Sequence, residues 1–520
     1  MSTKEVDVVI VGAGIAGLSC ARYLLKKDET LNIVILEGKD RVGGRTLSVP
    51  LKTDDGTNTW DLGAHWVGRL VGELGLKTHE QCIQGRKFLQ IGKDNSVRSY
   101  ASDIPTLPLL DLLDLDRTMK KLDSLAREVD QNDPYSHKRG PEFDQMTLQT
   151  YLNNTCWRAE SKELMCIAVR STLGVEAHDI SMLYFLTYVS SAGGLKQLTE
   201  ATPYTAQEYT IQGGTQQISL KMAGALGNSV RLGEPVTSIS QAVDTVTVET
   251  GHGNVYICKK VVLAVPPNQI GKLTLEPPLP TIKRELYKRM PMANYAFWRE
   301  EGYSGESVTS GGPWTAGAGC ICGPLCFTFD DTSANGDPAL VTFVTGAQAV
   351  EWRQQTAEVR HKAILETLSQ FFGSRVNEYV DCREKDWDEE PFCEGGPVCT
   401  AAPGAMKYYA DGLRKPMGNI HLAGTETATV WAGYMSGAVQ SGYRAAIEIL
   451  ANIRPGTVSQ EDIDENNKPF KRSNSKLCKK PLTLMPIKPI SPECRDTIYS
   501  VRCLVISHVT EIDHVIVGAN

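Results

Sequence analysis

The sequence predicts an α/β fold that opens on a strand, a glycine turn, a helix and a second strand, and three neighbouring features carry that prediction. An apolar run from Asp7 to Val11 feeds Gly12-Ala13-Gly14-Ile15-Ala16-Gly17, and helix-forming residues follow from Leu18 to Leu25. A second apolar run, Leu31 to Leu36, then ends on the acidic Glu37.

Each part has a mechanical reason. Gly12 permits the tight turn out of the strand, Gly14 lets the backbone approach a pyrophosphate, and Gly17 lets the helix pack closely on the strand. The pyrophosphate would rest on the amides and the positive dipole end of that helix. Glu37 is placed to accept hydrogen bonds from a ribose. A glycine pattern alone is a weak signal; here it lies between a strand and a helix, where its chemistry needs it. Gly12, Gly14, Ala16, Gly17 and Glu37 are therefore the first candidate cofactor contacts.

The residues that follow, Gly38-Lys39-Asp40-Arg41-Val42-Gly43-Gly44-Arg45-Thr46, add glycines and two arginines directly beyond the first unit. Gly43 and Gly44 give backbone amides a close approach, and the guanidinium groups of Arg41 and Arg45 offer planar forks to phosphate oxygens. Such an extension closes over a long dinucleotide and points to FAD rather than NAD, with Gly38 among its contacts.

From here the chain resembles the flavin-dependent monoamine oxidase family, with gaps, to about Leu450. The markers are Asp61-Leu62-Gly63-Ala64-His65-Trp66-Val67-Gly68, Gln212-Gly213-Gly214, Glu234-Pro235-Val236, Val261-Val262-Leu263-Ala264-Val265-Pro266-Pro267, Glu384-Lys385-Asp386-Trp387 and the long block from Gly424 to Ala438. The resemblance implies a Rossmann-like FAD-binding domain of discontinuous segments, residues 1–80, 208–288 and 388–452. It implies an interleaved α+β substrate domain of mixed sheet and helices, 81–207 and 289–387, followed by a tail, 453–520. It also assigns further cofactor contacts: Gly63, Ala64, His65, Trp66, Val236, Ala264, Gly424, Thr425, Glu426 and Met435.

The implied chemistry is oxidation of a primary amine at its α-carbon by FAD, hydrolysis of the released imine to an aldehyde and ammonia, and reoxidation by oxygen with release of hydrogen peroxide. The protein must orient a neutral amine and exclude competing reactions. Tyr434 matches one wall of the family's aromatic cage, and Trp387 matches the tryptophan close to the flavin ring. These two are the candidate catalytic residues.

The sequence departs from the family in three places. Where members with covalent flavin carry Gly-Gly-Cys-Tyr, this chain reads Gly395-Gly396-Pro397-Val398, so FAD is expected to be noncovalent and Val398 leaves the cage with one wall. Cys399 lies two residues on from Pro397, and because side-chain direction changes from residue to residue it is not assumed to reach the flavin. Between Met292 and Phe297 only Ala293 to Ala296 remain, ~13 Å of extended chain, where the family has a strand bearing a lysine at the reactive flavin nitrogen. Lys288 precedes this gap and receives no role from the pattern. The third departure is a contraction after Gly68, beyond which Arg69 to Leu76 resumes a family helix. Loss of the lysine strand would leave an FAD-binding homologue with little or no oxidase activity. A polyamine oxidase would need acidic tunnel residues, and an amino-acid oxidase an arginine fork for the carboxylate.

Composition bounds the remaining classes. A chain of 520 residues buries a large core. Hydrophobic residues are 41% and charged residues 22%, a soluble balance, and the formal net charge of -7 argues against a nucleic-acid partner. The 14 cysteines lack framework spacing, so reduced thiols in an intracellular protein are expected. Cys320, Cys322 and Cys326 come closest to a cluster but have no histidine beside them, and no metal site is expected.

The N-terminal apolar stretch lies inside the nucleotide motif and lacks the basic flank of a signal peptide. Pro455 to Asn520 holds no apolar run near the ~20 residues a bilayer span requires, so no transmembrane anchor and a cytoplasmic, soluble location are expected, with mitochondrial association disfavoured. The basic stretch Lys468 to Lys480 reads as a solvated tail. Tyr499 to Val517 alternates apolar and polar residues in places, which leaves a strand and a loosely docked segment both open. A homodimer is also left open.

Two scaffold helices are expected, one over Leu107 to Val129, with its apolar face at Leu109, Leu110, Leu112, Leu113, Leu122 and Leu125, and one opening at Met146. Met182 to Val189 is similar to the family helix that lines the substrate cavity. His178, between Glu176 and Asp179 at that helix start, reads as a capping or surface residue rather than a base.

Overall fold

A computed structural model describes residues 3–467 and 503–506, apart from 54–55, 65–70, 82–84, 93–95, 102–104, 200–204, 206, 289, 291–302, 311–322 and 336. At its centre is a five-stranded sheet in which every pairing is parallel. Its strands are β1 (Val8–Val11), β2 (Ile33–Leu36), β3 (Val230–Arg231), β4 (Lys260–Leu263) and β5 (Ile420–Leu422), in the spatial order β3-β2-β1-β4-β5. β1 and β2 read Val-Val-Ile-Val and Ile-Val-Ile-Leu and are buried throughout. Continuous apolar runs of this kind belong to parallel strands covered on both faces.

Helix α1 (Ile15–Lys27) follows β1 as the glycine turn requires, and α3 (Met435–Ile453) packs beside it over the same core. Two glycines set the approach. A Cβ at Gly17 would lie 2.1 Å from the Gly12 carbonyl oxygen, and one at Gly442 would lie 2.3 Å from that of Ala16. Any side chain at either position would force the two helices off the sheet and off each other.

A second, mixed sheet orders strands Thr3–Glu5, Val255–Cys258, Val246–Thr250, Val236–Gln241 and Thr274–Glu276. A third sheet has six strands, Cys503–Ile506, Leu340–Phe343, Phe327–Asp330, Tyr303–Thr309, Arg86–Gln90 and Val97–Tyr100 in that order. Cys503–Ile506 runs parallel to Leu340–Phe343, so this part of the Tyr499 to Val517 segment is a strand. The shortened stretch from Met292 to Phe297 lies outside the described residues. Val71 to Gly75 form successive turns rather than the expected helix, because Gly72 loosens the segment and Gly75 takes φ +61.

The helical layer contains Leu109–Arg127, Leu148–Thr155, Ala159–Leu173 and α2 (Met182–Ala192). α2 is buried nearly all round, as a helix between two layers must be. It starts at Ser181, whose hydroxyl accepts from the amides of Leu183 and Tyr184. His178 is a surface residue, its side chain 65% exposed.

The helix Leu109–Arg127 corrects the expected face. Its buried positions are Asp111, Asp114, Thr118, Leu122 and Ala126, while Leu109, Leu110 and Leu113 are exposed. The acidic residues are inside because they have partners: Asp114 Oδ2 accepts from the amides of Trp157 and Arg158, at 2.8 Å each. Asp111 Oδ2 accepts from Arg158 Nε at 3.1 Å. Satisfied carboxylates outrank unpaired leucines in setting which way this helix turns.

Candidate functional site

A cavity of about 710 Å³ opens at the C-terminal edge of the parallel sheet, where open α/β sheets place their ligands. The glycine loops form its floor. Gly43 donates its amide to the Ala13 carbonyl at 3.0 Å, and Gly14 and Gly43 form a parallel bridge. Gly12 sits at φ +103 with a built Cβ only 2.8 Å from the Ala264 oxygen, so the turn itself demands glycine.

Gly14 is different. Its backbone is extended, at φ -75 and ψ 176, a conformation any residue adopts, and the only atom near a built Cβ is the Gly43 oxygen at 4.0 Å. The protein's own packing therefore has room for a side chain at Gly14. What such a side chain would fill is the cavity.

Of the residues singled out from the sequence, Gly12, Gly14, Ala16, Glu37, Gly38, Gly43, Gly44 and Arg45 line this cavity. So do Gly63, Ala64, Val236, Ala264, Trp387, Gly424, Thr425, Tyr434 and Met435. Gly17 faces β1 and packs α1. His65 and Trp66 lie outside the described residues.

The two arginines are committed to protein acceptors. Arg41 stands behind the wall, donating to the Gly44 and Thr46 carbonyls at 3.1 Å each and to Glu390, so it braces the loop that carries Gly43 and Gly44. Arg45 grips Glu426 with both amino groups, at 2.6 and 3.1 Å, and donates to the Pro397 carbonyl at 2.8 Å. Glu426 is buried behind the wall. Burial pushes its carboxyl up, but the Arg45 charge and its hydrogen bonds outweigh this and hold it below the ordinary carboxylate range. Glu37 accepts the Ala13 amide at 2.7 Å and the Lys39 amide at 3.1 Å, yet its burial prevails and its carboxyl is raised.

The aromatic part of the cavity is fixed from behind. Trp387 donates its indole N–H to the Leu62 carbonyl at 2.8 Å. Tyr434 directly precedes α3; its ring packs against Trp431, with centroids 5.2 Å apart and planes at 75°. The loop carrying Tyr434 is tied to α2, since Trp431 N and Ala432 N donate to the Ser191 carbonyl and hydroxyl at 2.9 and 3.3 Å. α2 itself contributes Tyr188, whose ring lies beside that of Tyr434, and the Tyr434 hydroxyl donates to the Leu198 carbonyl at 3.5 Å. Burial pushes the Tyr434 hydroxyl up, so it stays protonated.

Tyr188 was within a segment legible as cavity-lining. Leu62, inside the Asp61 to Gly68 block, lines the cavity as well, and so do Thr172 and Phe343, which nothing local in the sequence marks. Val398 is buried but is not among the lining residues. Cys399 is fully buried too; its sulfur lies 4.0 Å from Asn268 Oδ1, and burial pushes its thiol well up. Lys288 points to solvent, 65% exposed and 3.6 Å from Glu285.

A parallel sheet opening into a glycine-floored cavity with an aromatic far wall defines a dinucleotide-dependent oxidoreductase. Within that class, the chain belongs to the family of flavin-containing amine oxidoreductases, which it matches over residues 15–450. It is 34% identical to amine oxidase [flavin-containing] B of Sus scrofa over 481 residues, 89% of each chain. It is 33% identical to a probable flavin-containing monoamine oxidase A of Dictyostelium discoideum over 462 residues, 85% of this chain and 97% of that one. Among solved structures it is similar to putrescine oxidase bound to putrescine, with a TM-score of 0.77 and 27% identity over 86% of this chain and all 100% of the other. Cyclohexylamine oxidase from Brevibacterium oxydans IH-35A gives a TM-score of 0.75 and 29% identity, covering 86% and 99% of the two chains.

The cofactor is FAD, and the residues present fit it. The open space at Gly14, the amide-rich loops of Gly12–Gly14 and Gly43–Gly44, and the carboxylate at Glu37 are what a pyrophosphate and a ribose require. No described helix is long and apolar enough to cross a membrane.

Proposed function

We propose that the chain catalyses oxidative deamination of a primary arylalkyl or alkyl amine to an aldehyde, with ammonia and hydrogen peroxide, using noncovalent FAD. The observation that carries this reading is the character of the cavity around Tyr434. Leu62, Thr172, Tyr188, Phe343, Trp387 and Tyr434 are among the residues that line the cavity, and Tyr188 packs beside Tyr434. The charged residues on the described walls are Glu37, Lys39, Arg45, Lys272 and Glu394, and Arg45 is neutralised by its clasp on Glu426.

An apolar and aromatic wall has a chemical consequence. An ammonium entering it would lose hydration without gaining a counter-charge, so the amine binds neutral, with its lone pair available. Bound FAD supplies the acceptor for the equivalent of a hydride from the α-carbon, and oxygen regenerates it. Tyr434 and Trp387 act as walls that orient the amine and exclude water; neither is asked to move a proton. Pro397, which lines the cavity, has no thiol, and Cys399 is turned away into the core, which supports noncovalent attachment.

A polyamine oxidase is the nearest competing reading, since putrescine oxidase is among the similar structures. A second ammonium buried in the cavity would need a carboxylate beside it, and among the described residues the carboxylates that line the cavity are Glu37, placed for the ribose, and Glu394, paired with Lys272. An FAD-binding protein with little or no oxidase activity is the other alternative, resting on the shortening between Met292 and Phe297. The division into a cofactor domain (1–80, 208–288, 388–452), a substrate domain (81–207, 289–387) and a tail (453–520) belongs to the same proposal, as does a cytoplasmic location. Limited proteolysis and cell fractionation test these.

The decisive experiment is a spectrum before and after acid precipitation, followed by anaerobic mixing with benzylamine, tyramine, putrescine and spermine. Yellow colour in the supernatant and bleaching by a monoamine are expected. Colour in the pellet would overturn noncovalent attachment, bleaching by the di- or polyamine alone would favour the competing enzyme, and no bleaching would favour the inactive homologue.

A further inference from the structure

The segment from Trp387 to Pro397 runs along the cavity, and the proposed chemistry uses only its two ends. Its middle is held in a way that ordinary packing does not ask for. Phe392 has φ +59 and Glu394 φ +52, the left-handed region that a bulky residue keeps only where its surroundings over-determine it. Phe392 is also 42% exposed, among the few large apolar side chains left so. Yet it lines the cavity, and its ring fills the place where a side chain at residue 38 would go: a Cβ built on Gly38 meets Phe392 Cε2 at 2.8 Å and Cζ at 2.9 Å. Gly38 directly follows Glu37, the residue placed for the ribose.

Charge pins the segment on both sides of Phe392. Glu390, buried, accepts from Lys39 Nζ at 2.5 Å and also pairs with Arg41 and Lys385. Glu394 pairs with Lys272 in an exposed contact, their side chains 44% and 55% accessible. Between them the Cys393 carbonyl accepts from Asn268 Nδ2 at 3.0 Å and Gln269 Nε2 at 3.4 Å. One pin is shielded from solvent and the other is not.

We propose that residues 390–394 are a strap over the adenosine half of FAD, with Phe392 covering the ribose and adenine, Glu390 as the fixed pin and the Lys272–Glu394 pair as the releasable one. The proposal rests on FAD occupying the cavity. A cofactor without a covalent link is retained by such contacts alone, and a ring held exposed at the cavity margin gains cover from the ligand it closes on. Because the Lys272–Glu394 pair is solvent-accessible, salt weakens it, whereas the Glu390 cluster is screened much less. The strap therefore predicts that FAD leaves faster as ionic strength rises.

The test is the rate of FAD release from the holoprotein, followed by the fluorescence of free flavin after dilution into low and high salt, alongside melting of the apoprotein. Phe392→Ala is expected to speed release about tenfold, the size of one lost ring contact, with apoprotein melting unchanged and with slow release restored in Phe392→Tyr. Lys272→Ala is expected to release FAD in low salt as fast as the unaltered protein does in high salt, and to lose the salt dependence. Unchanged release in Phe392→Ala overturns the strap, and so does faster release accompanied by an equally weakened apoprotein. A protein that neither carries FAD nor takes it up would overturn the cofactor assignment as well, which separates the two failures.

Discussion

Tyr188 and Tyr434 meet across the aromatic end of the cavity with ring centroids 6.4 Å apart and planes inclined by 34°, and Gly433 makes the meeting possible. A Cβ at Gly433 would fall 2.7 Å from the Tyr188 hydroxyl oxygen, and the residue holds φ +84. Gly433→Ala should push Tyr188 away from Tyr434 while leaving the nucleotide loops untouched. The expected result is a loss of about 10²-fold in kcat/KM, the scale of a small misplacement in a positioning group, with FAD content unchanged. A variant that keeps full kcat/KM would show that the Tyr188–Tyr434 contact has no part in orienting the amine.

Gly14 and Gly17 should fail in opposite ways. Alanine at residue 14 meets only cavity space, so Gly14→Ala should weaken FAD binding about tenfold or more without lowering apoprotein stability. Alanine at residue 17 meets the Gly12 backbone at 2.1 Å, so Gly17→Ala should cost about 3 kcal/mol of stability. Flavin titration and denaturant unfolding of the two variants separate these outcomes; equal loss of stability in both would remove the argument that Gly14 is reserved for ligand.

Glu390 sets an acid limit. Burial pushes its carboxyl up, but hydrogen bonds from Lys385 and Lys39 and the charges of Lys39 and Arg41 outweigh that and bring it down to about 2. An unfolded glutamate titrates near about 4.3. Because the folded value is the lower one, the carboxylate stabilises the fold fully above about pH 4.3, and that contribution disappears as the pH falls through about 2. The difference corresponds to about 3 kcal/mol. Melting curves of the unaltered protein and Glu390→Gln should lie furthest apart above about pH 5 and converge toward about pH 2; parallel curves would contradict this role for the carboxylate.

Asp114 anchors the helix Leu109–Arg127. Its carboxylate takes the amides of Trp157 and Arg158 and also pairs with Arg117 Nη2 at 2.6 Å. Asp114→Ala would orphan two backbone donors, and a loss of about 3 kcal/mol is expected from denaturant unfolding. Leu113→Ala, on the exposed face, should change stability by about 0.5 kcal/mol or less.

These contrasts also show what the sequence makes legible. The β1–α1–β2 unit was readable because its chemistry is local: Gly12, Gly17 and Glu37 stand within one turn-and-strand repeat, and each needs a particular residue type. The face of Leu109–Arg127 was misread because leucines announce themselves by count, whereas Asp111 and Asp114 go inside only on account of Trp157 and Arg158. Arg41 and Arg45 could be seen as phosphate-sized forks, but not as partners of Glu390 and Glu426. Phe392 was invisible for the same reason, since its seat, Gly38, is remote in sequence and its backbone conformation has no local signature.

The Arg45–Glu426 clasp joins positions 381 residues apart, and the sheet that carries the nucleotide loops is likewise completed by β5 at Ile420–Leu422. During synthesis at about 5–20 residues per second, the glycine loop waits about 20–75 seconds for the residues that finish its wall. A growing chain thus carries the whole recognition motif for most of its making without being able to keep a flavin. Loading has to wait for the Gly424 block, and a ribosome stalled anywhere before it should yield colourless protein however complete its first hundred residues are.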